Sequence, residues 1–282
     1  MPELPELEVM REILTETVVD RPIDGARAFH PGLLKTFNPP LDALSGRTFE
    51  SVSRRGKHLI LRLTDDLHLV LHLMLAGRLV PCKSDTKVTK ATGLVIRFAD
   101  GEDLRLVENG TQRRVRVHVV RDPNDVPAIA SAGVEALSDE LTIDLLVDAF
   151  DGLRRQAKKA ITDQRLIAGI GSAYADEILF DAKLSPIRYA STMERGEIER
   201  LHRSIGTVLR GAIEEIRASS DGKLVPPHKR EFAKVVDRTG QPCPACGARI
   251  AEIRYAQTRT YYCPDCQASG KTLPDRRSWL TR

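Results

Sequence analysis

The first six residues, MPELPE, place two prolines and two carboxylates at the start of the chain. If Met1 is removed, Pro2 carries a free secondary amine, which can attack an aldehyde-like carbon and form an iminium. An α-amino group titrates at about pH 8, so a modest lowering of its pKa leaves much of it uncharged at neutral pH. Glu3 could then carry protons to and from the amine or a sugar oxygen. The segment therefore predicts Schiff-base chemistry.

The same segment also matches the start of a helix. Proline is favoured in the first turn of a helix, and acidic residues there complement the helix dipole. Apolar residues follow at helical spacing: Leu4, Leu7, Met10 and Leu14. This interpretation explains the pattern without any chemistry. The two interpretations are compatible, because one helix can begin beside a reactive amine.

Four of the five cysteines form two Cys-x-x-Cys pairs, Cys243 with Cys246 and Cys263 with Cys266, separated by sixteen residues. This spacing is typical of a zinc ribbon with four thiolate ligands. The residues between the pairs favour a β-hairpin with basic and aromatic side chains. A closed tetrahedral site leaves no coordination position for a substrate, so we expect one structural Zn²⁺.

The elements that would position these groups change type along the chain. Apolar and polar residues alternate at 59–63, 67–73 and 115–119, which predicts strands of a sandwich or barrel. Residues 121–140 favour a connection between domains, and a helical period begins at Leu141. Within the helical part, a Gly169-Ile170-Gly171 turn between two helical patterns could bring backbone amides to a phosphate.

Composition permits many functions but limits the location. The chain has 282 residues, of which 41% are hydrophobic and 29% charged, as in ordinary globular proteins. No stretch approaches the roughly 18 apolar residues of a membrane span, so we expect a cytoplasmic protein without membrane contact. A net charge of +4 permits a polyanionic partner without requiring one.

Taken together, the N-terminal sequence PELPELE, the basic turn RRGKH, the Gly-Ile-Gly turn and the cysteine pairs resemble the formamidopyrimidine-DNA glycosylase/endonuclease VIII family. The resemblance implies an α+β fold: an N-terminal β-sandwich with a catalytic N-terminal helix, then a helical helix-two-turn-helix domain with a C-terminal zinc ribbon. The implied boundaries are a catalytic domain at 1–133, a linker at 134–140, a helix-two-turn-helix domain at 141–237, a zinc finger at 238–270 and a basic tail at 271–282.

The resemblance also implies a bifunctional DNA glycosylase and abasic-site lyase of base excision repair. Such an enzyme excises a damaged base through an N-terminal proline Schiff base and then cuts the strand by β-elimination. Pro2 would be the nucleophile, Glu3 would transfer protons and Glu6 would support the site. Lys57, in the basic turn, would contact phosphate and the damaged nucleotide.

Two departures from the family pattern concern the damaged base. Leu75 stands where a methionine fills the gap left by the extruded base, and leucine can still act as a wedge. Gly110 and Gln112 stand where an arginine and a phenylalanine probe the opposite base and the stack, with Arg113 following. Leu75, Gln112 and Arg113 are therefore the expected DNA contacts here.

Two further departures concern phosphate binding. Around the turn of Gly169 and Gly171, the family's asparagine is Ser172, which we expect to cap the following helix and donate one hydrogen bond. The finger arginine is Thr258 here, and Arg259 is the best substitute. A shift of one residue on a strand reverses the face, however, unless the turn compensates.

The expected partner is damaged DNA, double-stranded or single-stranded, bound by a monomer associated with the nucleoid. The alternative is a non-catalytic binder of damaged or abasic DNA on the same scaffold. Loss of Pro2, Glu3 or Lys57 would favour that alternative, and all three are present. The basic tail could add phosphate contacts, but we favour a solvated tail.

Overall fold

The computed structural model describes residues 1–109, 112–224, 230–255 and 258–274. The chain forms two compact units, one of Met1–Ser131 with Ile216–His228 and the other of Ala132–Glu215 with Lys229–Arg282. In the first unit the helices and strands are α1 (Leu4–Val18), β1 (Ile23–Ala28), β2 (Phe49–Arg55), β3 (His58–Leu63), β4 (Leu67–His72), β5 (Gly77–Lys83), β6 (Thr92–Phe98), β7 (Glu102–Glu108), β8 (Arg116–Val120) and α2 (Pro127–Ala130).

Helix α1 begins where the sequence predicts. Glu3 is its N-cap residue, and the carboxylate of Glu6 accepts the backbone N–H of Glu3 at 2.9 Å. Pro5 lies in the first turn, where a missing N–H costs no hydrogen bond. The apolar side of the helix is buried, with Leu7 only 1% exposed, and this side joins the core of the first unit.

The first unit is a β-sandwich of two antiparallel sheets. Their strand orders are β2-β3-β4-β8 and β1-β6-β7-β5. The leucines of β3 at 59, 61 and 63 are fully buried, and both sheets contribute to one core. Because alternate residues of a strand face opposite sides, this burial follows directly from the sequence pattern. The predicted sandwich is confirmed.

The outer face of the first sheet carries a second, smaller apolar cluster. Ile60, Val70 and Val120 are buried there together with Val126 and Ile129. The last two residues lie in or beside α2, in the segment that follows β8. The chain after β8 therefore covers part of this face and belongs to the first unit.

The second unit is mainly helical and ends in the zinc ribbon, which confirms the predicted order of its parts. Helix α6 is the longest, and its residues from Ile216 onward are grouped with the first unit. None of the helices in the described ranges is long and apolar enough to span a membrane. The elements are β9 (Val134–Glu135), α3 (Ile143–Phe150), α4 (Ala157–Ile161), β10 (Ile167–Ala168), α5 (Ser172–Asp181), α6 (Arg195–Ser220), β11 (Ala251–Tyr255), β12 (Thr258–Tyr262) and α7 (Pro264–Ala268).

Candidate functional site

The start of α1 and the turn between β2 and β3 bring the predicted catalytic residues together. Pro2 is buried, and Glu3 and Glu6 are 3% and 6% exposed. The half-buried ammonium of Lys57 lies close enough to both carboxylates to interact with them electrostatically. Burial lowers the pKa of Lys57, although Glu3 and Glu6 act in the opposite direction. The first unit thus gathers a prospective amine, two carboxylates and a cation.

An ion pair that sequence reasoning missed holds the Lys57 turn against α1. Arg54 Nε lies 2.9 Å from Glu8 Oε2, and Arg54 Nη1 donates to the carbonyl of Gly56 at 3.0 Å. Burial raises the pKa of Glu8, but hydrogen bonds from Arg54 and Arg11 outweigh that effect and lower it. The sequence showed a basic turn and an acidic helix. Their pairing depends on how the helix packs on β2.

Three histidines occupy the outer face of the first sheet, close to Lys57. The rings of His58 and His72 meet edge to face with centroids 4.7 Å apart, and His118 lies nearby on β8. Burial lowers the pKa of His58 to about 3 and that of His72 to about 4, and Lys57 contributes at His72. Met74 N donates to His72 Nδ1 at 3.2 Å, so a neutral His72 carries its proton on Nε2. Strand alternation could have revealed this cluster.

The predicted wedge lies at the tip of the turn after β4. Leu75 is 63% exposed, whereas Leu73 just before it is 1% exposed. The turn requires glycine at position 77, because an added Cβ would lie 2.4 Å from the carbonyl oxygen of Leu73. Leu75 is therefore held on a constrained turn with its side chain available to a ligand.

Gln112 and Arg113 are exposed on the loop that precedes β8. Gly110, the other departure in this loop, lies outside the described residues. The loop is anchored at its end by the buried carboxylate of Glu108, which accepts the backbone N–H of Arg114 at 2.7 Å and that of Val115 at 3.2 Å. Sequence reasoning assigned no role to Glu108, since its partners are backbone amides.

The Gly-Ile-Gly turn in the second unit is braced by the side chain of Gln164. Gly169 has a φ of +100°, which favours glycine, and its N–H donates to Gln164 Oε1 at 2.9 Å. Gln164 Nε2 in turn donates to the carbonyl of Ile170 at 2.7 Å. Gly171 is the N-cap of α5 and Ser172 is its first residue, without a side-chain capping bond. The expectation that Ser172 caps the helix is wrong, because the helix begins one residue earlier than a serine cap requires.

The four predicted zinc ligands converge at one end of the ribbon. Their sulfur atoms all lie within 4.8 Å of one another, with Cys246 and Cys263 3.4 Å apart and Cys243 and Cys266 3.9 Å apart. Tetrahedral zinc with Zn–S bonds of ~2.3 Å requires sulfur separations of ~3.8 Å. The donors therefore fit one structural zinc ion, whose thiolate ligands would tie the two knuckles together. The amide of Gln267 adds support, accepting from Cys263 N at 2.8 Å.

The predicted substitute for the finger arginine faces the opposite side of β12 from Thr258. Strands β11 and β12 pair without a register shift, so Arg259 shares a face with Tyr261 while Thr258 and Thr260 share the other. Arg259 is exposed, and a hydrogen bond with Tyr261 raises its pKa. Tyr261 Oη also donates to Asp237 Oδ1 at 2.6 Å. Strand β12 itself has no register shift that would compensate for the one-residue difference, and the turn at 256–257 lies outside the described residues.

Comparison with known families covers most of the chain. Residues 1–115 match the formamidopyrimidine-DNA glycosylase N-terminal domain, residues 132–222 match the H2TH domain of the same family, and residues 240–268 match the zinc finger found in FPG and IleRS. The three matches follow the order of the sandwich, the helical part and the ribbon.

Full-length relatives agree with these domain matches. The chain is 35% identical to the formamidopyrimidine-DNA glycosylase of Symbiobacterium thermophilum, covering 99% of this chain and 93% of the relative, and 34% identical to that of Moorella thermoacetica, covering 90% and 95%. A solved structure of the Lactococcus lactis enzyme non-covalently bound to abasic-site DNA superposes with a TM-score of 0.85 at 28% identity, covering 94% and 99%. A complex of the same enzyme with Fapy-dG DNA gives 0.86 at 29% identity, covering 94% and 100%. The chain therefore belongs to the formamidopyrimidine-DNA glycosylase family, the DNA glycosylases of base excision repair in which abasic-site lyase activity is typical.

Proposed function

We propose that Pro2, after removal of Met1, is the nucleophile of a combined glycosylase and lyase reaction. The observation that carries this proposal is the grouping of the buried chain start, the Glu3 and Glu6 carboxylates and the Lys57 ammonium within the first unit. A secondary amine beside a carboxylate has the two groups that Schiff-base formation requires, a nucleophile and a proton carrier.

The proposed reaction has four steps. The nitrogen of Pro2 attacks C1′ of the damaged nucleotide, and the C1′–N bond breaks as the base leaves with the bonding electrons and takes up a proton. Glu3 removes the proton from the attacking amine and passes it to the ring oxygen, so the ring opens and the nitrogen lone pair forms an iminium. Loss of the C2′ proton to water converts the iminium to an enamine. The enamine electrons form a C2′–C3′ double bond as the C3′–O bond breaks and the 3′ phosphate leaves, which regenerates the iminium. Water then hydrolyses the iminium and restores Pro2.

Lys57 and Glu6 act on the groups around this reaction. Lys57 supplies a compact positive charge for a DNA phosphate next to the damaged nucleotide. A bound phosphate would favour the charged form of Lys57, opposing the effect of burial, which lowers its pKa. Glu6 supports the site through its hydrogen bond to the backbone of Glu3.

The substrate we propose is damaged DNA, as in the Lactococcus lactis complexes with abasic-site and Fapy-dG DNA. We propose that Leu75, Gln112 and Arg113 contact the bases of double-stranded or single-stranded DNA. One chain carries every element that the reaction requires, so we propose a monomer, working in the cytoplasm on nucleoid DNA. The phosphate contacts we propose are those of Gly169, Gly171, Ser172 and Arg259.

The test compares two cleavage reactions on defined oligonucleotides, with Met1 removal checked by intact mass. We expect Pro2→Gly to reduce both excision of a Fapy lesion and cleavage of a preformed abasic site. Glu3→Gln should reduce base release more than cleavage of the preformed site, because base release is the step with the harder leaving group. Glu16→Gln, an exposed position on the same helix, is the control. Binding without cleavage by the processed wild type would instead favour a non-catalytic damage binder.

A further inference from the structure

A buried ion pair joins three elements of the second unit. Lys158 on α4 is 7% exposed and Asp176 on α5 is 1% exposed, and Lys158 Nζ lies 2.7 Å from Asp176 Oδ1 and 2.8 Å from Oδ2. Lys158 Nζ also donates to the carbonyl of Arg259 at 2.8 Å and to Thr260 Oγ1 at 3.0 Å, both on β12. The backbone N–H of Tyr261 donates to Asp176 at 3.0 Å. The pair thus holds one strand of the zinc ribbon against two helices.

Stability alone does not explain such a pair. Removing two charges from water is costly, and well-packed apolar residues of similar volume often hold elements together as well or better. In some proteins, buried polar groups with directed hydrogen bonds fix the register of the elements that they join. Here the partners on β12 are a backbone carbonyl, a backbone N–H and one hydroxyl at three consecutive residues. A slip of the strand by one residue would disrupt all three.

The neighbouring residue on α5 fixes a second part of the same module. The buried carboxylate of Glu177 accepts the backbone N–H groups of Lys234, Val235 and Val236, each at 2.9 Å. This segment leads directly to Asp237, which receives the hydrogen bond from Tyr261 on β12. Two consecutive acidic residues of α5 therefore hold strand β12 and the segment at 234–236 that leads into the ribbon.

The helix that carries these acids begins at the Gly-Ile-Gly turn. Asp176 lies four residues, about one turn, after Ser172, the first residue of α5. The strand that the pair holds carries Arg259, whose side chain is exposed. The proposed phosphate contacts of the turn and of the ribbon are thus connected through a few directed bonds.

We infer that Lys158 and Asp176 are positioning residues that lock the zinc ribbon to the helix-two-turn-helix turn, so that both bind one DNA backbone as a single rigid element. This inference rests on the proposed DNA contacts of the second unit. It does not depend on the Schiff-base chemistry of the first unit. The pair sets DNA affinity through the relative position of Gly171 and Arg259 and takes no part in bond breaking.

The test replaces the pair by apolar residues of similar size in the double variant Lys158→Met/Asp176→Leu. We measure zinc content, Tm, the Kd for duplex DNA with a non-cleavable tetrahydrofuran abasic site, and kcat for an abasic site at saturating DNA. Zinc and Tm should be retained, Kd should rise roughly 3- to 30-fold, and kcat should be unchanged. Removing the exposed Arg195–Asp144 pair of the same unit by Arg195→Gln/Asp144→Asn should leave Kd at the wild-type value.

Two outcomes would overturn the inference. One is a double variant that keeps its zinc and binds DNA with the wild-type Kd, since the pair would then serve stability alone. The other is a fall in kcat at saturating DNA, since the pair would then act on the chemistry. If the double variant loses zinc, the isosteric variant Thr260→Val tests the inference instead, because it removes one hydrogen-bond acceptor of Lys158. We expect Thr260→Val to weaken DNA binding with zinc retained. An unchanged Kd would contradict the positioning role of Lys158 and Asp176. A wild-type protein that does not cleave DNA, but whose DNA binding is weakened by the double variant, would refute only the proposed chemistry.

Discussion

At the scale of single residues, the charge states around Lys57 depend on burial and on close neighbours. Burial lowers the pKa of Lys57, and Glu3 and Glu6 partly restore it. His72 is held neutral by burial and by the positive charge of Lys57. A bound phosphate would act on both groups in the same direction, because an anion favours the protonated forms.

His58 gives a pH prediction that can be tested on stability. Burial lowers its pKa from 6.5 to about 3, so the unfolded chain takes up this proton at a higher pH than the folded protein. Its contribution is complete above pH 6.5 and is lost progressively as pH falls towards 3, by up to about 1.4 kcal/mol per pH unit. His58→Phe keeps a ring against His72 and removes the titration. Urea unfolding at pH 7.5 and pH 5 should show a smaller loss for the variant, and equal losses would contradict the assignment.

At the scale of helices and strands, the spacing of apolar residues predicted those elements that bury one face. The alternating leucines of β3 and the helical spacing in α1 both required burial on one side, and the structure has them there. The four zinc ligands were predicted from the spacing of the two cysteine pairs alone. Each of these predictions depends on residues close together in the chain.

What the sequence did not reveal are partners brought together by packing. Arg54 with Glu8 and Lys158 with Asp176 are separated by many residues, and their types suit a solvated surface equally well. The capping error at Ser172 has a similar origin, because the start of α5 is set by Gly171 in a turn braced by side-chain hydrogen bonds. The two ion pairs and the start of α5 each depend on contacts between residues that only the folded structure brings together.

The zinc ribbon gives a prediction for a whole element. Cys246→Ser or Cys263→Ser removes a thiolate and should unfold the ribbon, since metal binding and folding of such a site are one equilibrium. Lys158 would then lose its two acceptors on β12, so DNA affinity should collapse while the first unit remains folded. The control is Cys82→Ser, the cysteine outside the cluster.

Zinc content, duplex Kd and the thermal transition of the first unit are measured on the same samples. A cysteine variant that has lost its metal yet binds duplex DNA normally would show that the ribbon is not a DNA-binding element here.

At the scale of the whole molecule, the two units carry different functional groups. The first carries the proposed nucleophile, its proton carrier and the wedge Leu75, and the second carries the proposed phosphate-binding turn and the ribbon. The family relationship extends over both units. The departures of this chain from the family pattern lie mainly in residues that we propose to contact DNA, so we expect altered substrate preference with unchanged chemistry.

Substrate preference should follow the residues at positions 75, 110 and 112, where large or charged probes of the family are replaced by Leu75, Gly110 and Gln112. Extruding a base that is still paired and stacked costs a few kcal/mol, and a smaller wedge supports the gap less well. We expect weak activity on 8-oxoguanine opposite cytosine and better activity on abasic sites, ring-opened purines or damaged pyrimidines, most of all in single-stranded or bubble DNA. Single-turnover rates on such a panel test this, with Gln112→Phe expected to improve the duplex reaction.

Rates on 8-oxoguanine opposite cytosine that equal those on abasic sites would show that other residues have taken over the wedge. Unchanged duplex activity in Gln112→Phe would show that this position does not probe the stack.

Pro2 is proposed to form a covalent iminium with the sugar of the damaged nucleotide. Borohydride added during reaction with abasic-site DNA reduces such an iminium to a stable amine, and peptide mapping of the product then locates the attachment. We expect an adduct on the nitrogen of Pro2 in protein lacking Met1, and very little adduct in Pro2→Gly. An adduct that maps to a lysine, or that forms equally when Met1 is retained, would contradict the account.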